Sequence, residues 1–117
     1  MTTVTATVDK GDSHIAYTWA SMSAGDVGNA VDFWLWPTAV AQVVDSSGAA
    51  SVVIQISNDG VTWFNPSNSI LSAPQLSNLD FPKARYVRPY VYTADAQATA
   101  ILLLSRQLIG SDLSKDE

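Results

Sequence analysis

Apolar and polar positions alternate with a period of two along almost the whole chain, which is the repeat of β-strands with one face buried. Val4, Ala6 and Val8 alternate with Thr3, Thr5 and Thr7, predicting an edge strand or an extended N-terminal arm within residues 1–12 that Lys10-Gly11-Asp12 interrupts. Such a Val/Thr arm could add a strand to a neighbour's sheet. Ile15, Tyr17 and Trp19 then share one face, with His14, Ala16, Thr18 and Ala20 on the other. The turn formers Ala24-Gly25-Asp26 and Gly28-Asn29 precede a second strand, Val31 to Trp36, which Pro37 stops. A third, Ala39 to Val44, runs into the turn signal Asp45-Ser46-Ser47-Gly48.

The clearest alternation comes next. Val52, Ile54 and Ile56 oppose Val53, Gln55 and Ser57, and a return strand starts at Val61 and Trp63. Between them, Asn58, Asp59 and Gly60 predict a tight hairpin turn, because glycine takes positive φ without steric cost. Residues 65 to 83, with Pro66, Pro74 and Pro82, read as loop around a short strand near Ser69 to Ser72. From Arg85 to Thr93, Val87 and Val91 face one way and Tyr86, Arg88, Tyr90 and Tyr92 the other. Pro89 has no N–H to donate, which predicts an edge strand or a bulge there. Ala98 to Ser105 is apolar on both faces and reads as a central strand buried on both sides. Residues 107–117 form a polar tail expected to fray. The pattern predicts one all-β domain over residues 13–106. Its expected form is an antiparallel β-sandwich of jelly-roll or discoidin-like type, with seven or eight short strands and no substantial helix.

Composition narrows the function. With 117 residues the chain is the size of one domain. Only 15% of residues are charged, against roughly 25% in ordinary soluble chains. Its polar surface is therefore built largely from Ser, Thr, Asn and Gln, which are less costly to desolvate than ions. This suits a domain packed against neighbours. A net charge of −5 opposes nucleic-acid phosphates, and only Lys83, Arg85 and Arg88 lie close together among six basic residues. The absence of cysteine excludes disulfides, thiolate metal sites and cysteine nucleophiles. No apolar run is long enough to span a bilayer as a helix, and Met1-Thr2-Thr3-Val4-Thr5 lacks signal-peptide character, so synthesis and folding in a cytoplasm are expected.

Little points to catalysis. His14, the sole histidine, falls on the polar side of its strand, where a surface role outweighs that of a general base. The carboxylates Asp26, Asp32, Asp45 and Asp59 mostly occupy turns, where Asp bonds to nearby backbone. Loop oxygens near Asp45 or Asp59 could meet a calcium ion, yet no dense run of alternating acids supports one. No catalytic, cofactor-binding or metal site is assigned. Trp19 and Trp63 read as core. In Phe33-Trp34-Leu35-Trp36, strict alternation sends Phe33 and Leu35 to one face and Trp34 and Trp36 to the other, so one pair is exposed unless covered. Phe33, Trp34, Trp36, Tyr86, Arg88, Tyr90 and Tyr92 are accordingly the candidate interface residues. The alternatives are a strand buried on both faces for the tryptophans, and a solvated face or a carbohydrate platform for the tyrosine row.

Two segments carry a resemblance. Val53 to Trp63, reading V-I-Q-I-S-N-D-G-V-T-W, and Ala84 to Arg88, reading A-R-Y-V-R, resemble signatures of discoidin-like sandwich domains. A wider ordered set resembles small virion proteins of tailed phages of the capsid decoration or cement type. It comprises Trp19, Gly25-Asp26, Gly28, Gln42, Gly48, Val53 to Gly60, Trp63, Arg85 to Pro89, Leu102 to Leu104 and Arg106, and spans about residues 15 to 106. This resemblance implies a structural protein on the virion surface that stabilises the head by binding the major capsid protein at joints between subunits. It also implies a homo-oligomer, with a trimer favoured. No catalytic residue comes with it. The alternative is a carbohydrate- or receptor-binding module of a phage tail or cell surface, with a glycan as its ligand.

Overall fold

The computed structural model describes residues 2–45, 49–67, 69–80, 84–94 and 97–106. The turn expected at 46–48, the residues Pro82 and Lys83, and the tail at 107–117 lie outside the described residues. The fold is an all-β sandwich. Its strands are β1 (Thr3–Val4), β2 (Thr7–Lys10), β3 (His14–Met22), β4 (Val27–Gly28), β5 (Val31–Asp32), β6 (Thr38–Asp45), β7 (Ala50–Ser57), β8 (Ile70–Ser72), β9 (Gln75–Asn78), β10 (Tyr86–Ala94) and β11 (Ala98–Ser105). One sheet has the order β1-β4-β10-β7-β8, with β5 also paired to β10, and the other has the order β2-β3-β11-β6-β9. The described residues form eleven strands where seven or eight were expected, because several are short pieces of two to four residues that carry too little alternation to register.

The core lies between the sheets and contains Trp19, Met22, Phe33, Val43, Val52, Leu71, Val87, Val91, Leu102 and Leu104. Of the sets expected to share a face, Ile15 and Trp19 on β3, Val52 and Ile54 on β7, and Val87 and Val91 on β10 are buried, with Tyr17 and Ile56 half-buried.

Residues 2–10 form no free arm. β1 pairs in parallel with β4, and β2 pairs antiparallel with β3, so this segment closes an edge of each sheet. Two side chains fasten it. The Asp26 carboxylate accepts from the Thr2 amide at 3.0 Å, and Asn29 Oδ1 accepts from the Ala6 amide at 2.9 Å. The same Asn29 oxygen accepts from Trp19 Nε1 at 2.9 Å, so one amide joins the segment, the core tryptophan and the β4–β5 connection.

β10 is an interior strand, although Pro89 predicts an edge or a bulge at that point. The Val91 amide donates to the Asp26 carbonyl at 2.9 Å, and the Arg85 carbonyl accepts from the Phe33 amide at 3.0 Å. Odd-numbered peptide groups of β10 thus point toward β4 and β5. Pro89 falls where that neighbour is broken, between Gly28 and Val31, so no partner is deprived of a donor. The register does shift, but between Val91 and Thr93. Gly28 is required by this packing, since a Cβ there would lie 2.6 Å from both Pro89 Cδ and the Trp19 ring.

Two further expectations are corrected. β11 is central, between β3 and β6, yet only Ala98, Ala100, Leu102 and Leu104 are buried, while Leu103 is exposed and Ile101 half-exposed. The sandwich has two layers, and among the described residues nothing covers that outer face. The tight hairpin at 58–60 is also replaced by a wider loop. After Gly60, at φ +77°, the chain makes a single bridge, Ile56 to Phe64, and no return strand. Val61 is 80% exposed.

Candidate binding surfaces

The loop after β7 is held by side-chain oxygens. Ser57 Oγ accepts from the Asp59 and Gly60 amides, and the Asp59 carboxylate accepts from Val61 N, Thr62 N and Ser57 Oγ, all within 3.2 Å. The bonds from Thr62, Val61 and Ser57 favour the carboxylate form and lower the Asp59 pKa to about 2. Asn58 Oδ1 accepts from the Arg85 amide at 3.1 Å. Asn58, Asp59 and Gly60 therefore have a structural role, and the carboxylate is occupied by its own backbone. A shallow hollow beside them, bordered by Ile56, Thr62, Phe64 and Ala84, presents no nucleophile paired with a base. Among the described residues no three of His, Asp and Glu are grouped to hold a metal ion. His14 lies against Gly11, where a Cβ would meet its ring at 2.3 Å.

The aromatic run after β5 leaves strand geometry at once. The strand stops at Asp32, and the Trp36 amide donates to the Phe33 carbonyl at 3.2 Å, closing a β-turn. The chain must cross to the other sheet before β6 begins at Thr38, and Trp36 precedes a proline. Strict alternation fails for that reason. Phe33 is fully enclosed in the core and leaves the candidate interface set. Trp34 is 58% exposed and Leu35, which alternation paired with Phe33, is 47% exposed. Trp36 packs partly on the core, with the Arg106 guanidinium 5.2 Å above its ring. Trp34 and Leu35 thus stand at the tip of a turn whose two ends are anchored.

On the outer face of the β10 sheet, Tyr86, Arg88, Tyr90 and Tyr92 point away from the core, as the two-residue repeat places them. Trp63 joins them there and is not a core residue. The Arg88 guanidinium lies 4.2 Å over its ring, while Arg88 Nε donates to Gln55 Oε1 at 2.8 Å and Gln55 Nε2 donates to Asn65 Oδ1 at 3.1 Å. Burial lowers the Arg88 pKa from its usual value. Tyr90 sits in register between Val27 and Val53, and both valines are buried although they lie outside the main core. Arg85 lies 5.2 Å over the Tyr86 ring.

The outer face of the second sheet carries a surface that the sequence reading missed. Register aligns Thr18, Ile101, Gln42 and Leu76 in one row across β3, β11, β6 and β9, and Ala16, Leu103, Val40 and Asn78 in the next. Thr99 and Val44 continue it. None of these residues is charged; the first charge reached is Asp9, on the β2 edge. Leu76 is 68% exposed, and Leu103 and Val44 are exposed. The apolar reading of both faces of β11 held this signal, but it was assigned to burial within one chain.

No family model matches the chain, and no curated protein is similar to it. Solved structures are similar at low identity, two bacterial proteins among them. A protein from Neisseria meningitidis aligns with 9% identity over 86% of this chain and 81% of its own, with a TM-score of 0.43. A cupin domain from Bordetella pertussis aligns with 7% identity over 87% of this chain and 92% of its own, with a TM-score of 0.47.

Proposed function

We propose that this chain is a structural virion protein without catalytic activity, a capsid decoration or cement protein. It is made in the host cytoplasm, self-associates, and binds the major capsid protein at joints on the capsid surface. The observation that carries this reading is the uncharged outer face of β3, β11, β6 and β9, with Leu103, Val40 and Ile101 at its centre and Leu76 on its edge strand. A lone monomer in water gains nothing from a contiguous apolar patch, whereas an interface does. The ordered motif set that resembles tailed-phage decoration proteins supports the major capsid protein as partner, and a trimer by analogy.

The size of the face fits a lattice better than an isolated pair. Four strands about 4.8 Å apart and about three outward rows about 6.8 Å apart give a patch of roughly 20 by 20 Å. Two such faces together bury about 800 Å², below the roughly 1,000 Å² expected of a specific interface. A single contact of that kind is weak, and attachment at many equivalent joints supplies the missing affinity by avidity. The Trp34-Leu35 turn adds an aromatic anchor of the type that dominates interface energetics, its truncation typically costing ~2 kcal/mol or more.

The test is loading of purified chain onto heads built from the capsid protein of the same genome, read by co-sedimentation. Leu103→Glu places a charge on the outer face and Trp34→Ala removes the anchor; both positions are exposed in the free chain, so melting temperatures should hardly change. Loss of loading by folded Leu103→Glu supports the reading. Full loading by both variants overturns it.

A further inference from the structure

The outer face of the β10 sheet does not belong to the docking surface above and is built differently. Arg88 has four features that belong together. Its guanidinium carbon lies 4.2 Å over the Trp63 ring, and its Nε donates to Gln55, whose amide in turn donates to Asn65. It is half-buried, and among the described residues it forms no ion pair with a carboxylate, in a chain whose net charge is −5. A desolvated cation without a counter-ion costs stability, and an acidic chain has many ways to supply one. Among the described residues its side-chain partners are the Gln55 amide and the Trp63 ring. With Nε committed to Gln55, the two terminal nitrogens remain as a planar pair of donors, the geometry that matches a carboxylate bidentately.

The surroundings select the class of carboxylate. Tyr86 and Tyr90 flank Arg88 two residues away on the same face of β10, and the Trp63 ring lies against its guanidinium. Gln55 and Asn65 each keep an amide N–H beyond the bond between them. Flat aromatic surface, a planar cation and spare amide groups on an open sheet face suit a sugar ring, which offers an apolar face and a rim of hydroxyls. We propose that Arg88, Trp63, Gln55 and Asn65, with Tyr86 and Tyr90, form a binding site for a uronic-acid-bearing oligosaccharide, with the sugar carboxylate on the Arg88 guanidinium. The site is separate from the capsid-docking face, so either reading can fail alone.

The experiment titrates the full chain with trigalacturonate and, in parallel, with its fully methyl-esterified form, following the Arg88 Nε–H and Trp63 indole N–H resonances by NMR. The expected result is a saturable shift of both signals with the acid and none with the ester. Arg88→Lys keeps the charge but loses the planar pair, and should weaken binding roughly tenfold or more with an unchanged fold. Trp63→Phe should weaken it by less. Equal responses to acid and ester, no response at saturating sugar, or unchanged affinity in Arg88→Lys would each overturn the proposal. So would loss of capsid loading in Arg88→Lys together with no sugar binding, which would assign the guanidinium to a protein carboxylate instead.

Discussion

Asn29→Ala should destabilise the domain far more than its half-exposed position suggests. Its Oδ1 is the acceptor for two donors: Trp19 Nε1, on a side chain that is 1% exposed, and the Ala6 amide, both at 2.9 Å. Alanine removes the oxygen and leaves both donors without a partner inside the fold. An unsatisfied buried donor costs about 1–3 kcal/mol. The indole N–H is enclosed and should take the middle of that range, whereas water can reach the Ala6 amide more easily, which puts it near the bottom. The sum is about 2–3 kcal/mol, or roughly 8–15 °C in melting temperature for a domain of this size. Urea and thermal melts followed by tryptophan fluorescence measure it. Asn29→Asp is the control: it keeps an oxygen at the same place and should retain most of the stability. A wild-type melt for Asn29→Ala, or equal losses for the Ala and Asp variants, would refute the idea that this one acceptor ties the N-terminal segment to the core.

Three other outcomes follow from the same packing. Gly28→Ala drives a methyl group into Trp19 and Pro89, both 2.6 Å from the new carbon, and should cost about 1–3 kcal/mol in a urea melt. Deleting residues 2–9 removes β1, most of β2 and the bonds to Asp26 and Asn29, so it should lower the melting temperature sharply; an unchanged melt would restore the picture of a free arm. The Asp59 carboxyl is held at about 2 in the fold, below its unfolded value near 4, so its contribution is complete above pH 4 and is lost as pH falls toward 2. Asp59→Asn should therefore flatten the acid limb of the stability–pH curve between about pH 4 and 2, and an identical limb would show that the carboxylate is not stabilised there.

Much of the fold was legible because two-residue alternation is a direct imprint of one-sided burial. Val52, Ile54 and Ile56 against Val53, Gln55 and Ser57, or Val87 and Val91 against the tyrosine row, could hardly fold otherwise. The failures share a physical cause: alternation states which residues share a face but not where the chain leaves a sheet. Phe33 to Trp36 continue the β5 pattern in composition, yet the crossing to β6 turns them, burying Phe33 and exposing Trp34 and Leu35. Ser57-Asn58-Asp59-Gly60 has hairpin chemistry, but Asp59 spends its carboxylate on Val61 and Thr62 and opens the loop. Pro89 is absorbed by a gap in a neighbouring strand, which no local pattern encodes. The apolar outer face of β11 was visible as hydrophobicity, but the sequence does not state whether this chain or another molecule covers it.

The most direct measurement of the central claim is a density map, by electron cryomicroscopy, of heads decorated with this chain. It should show protein packed against Leu103, Val40, Ile101 and Leu76 and around the Trp34 turn, with the Arg88 face turned outward. Bound chains whose β11 outer face looks onto bulk solvent would contradict it.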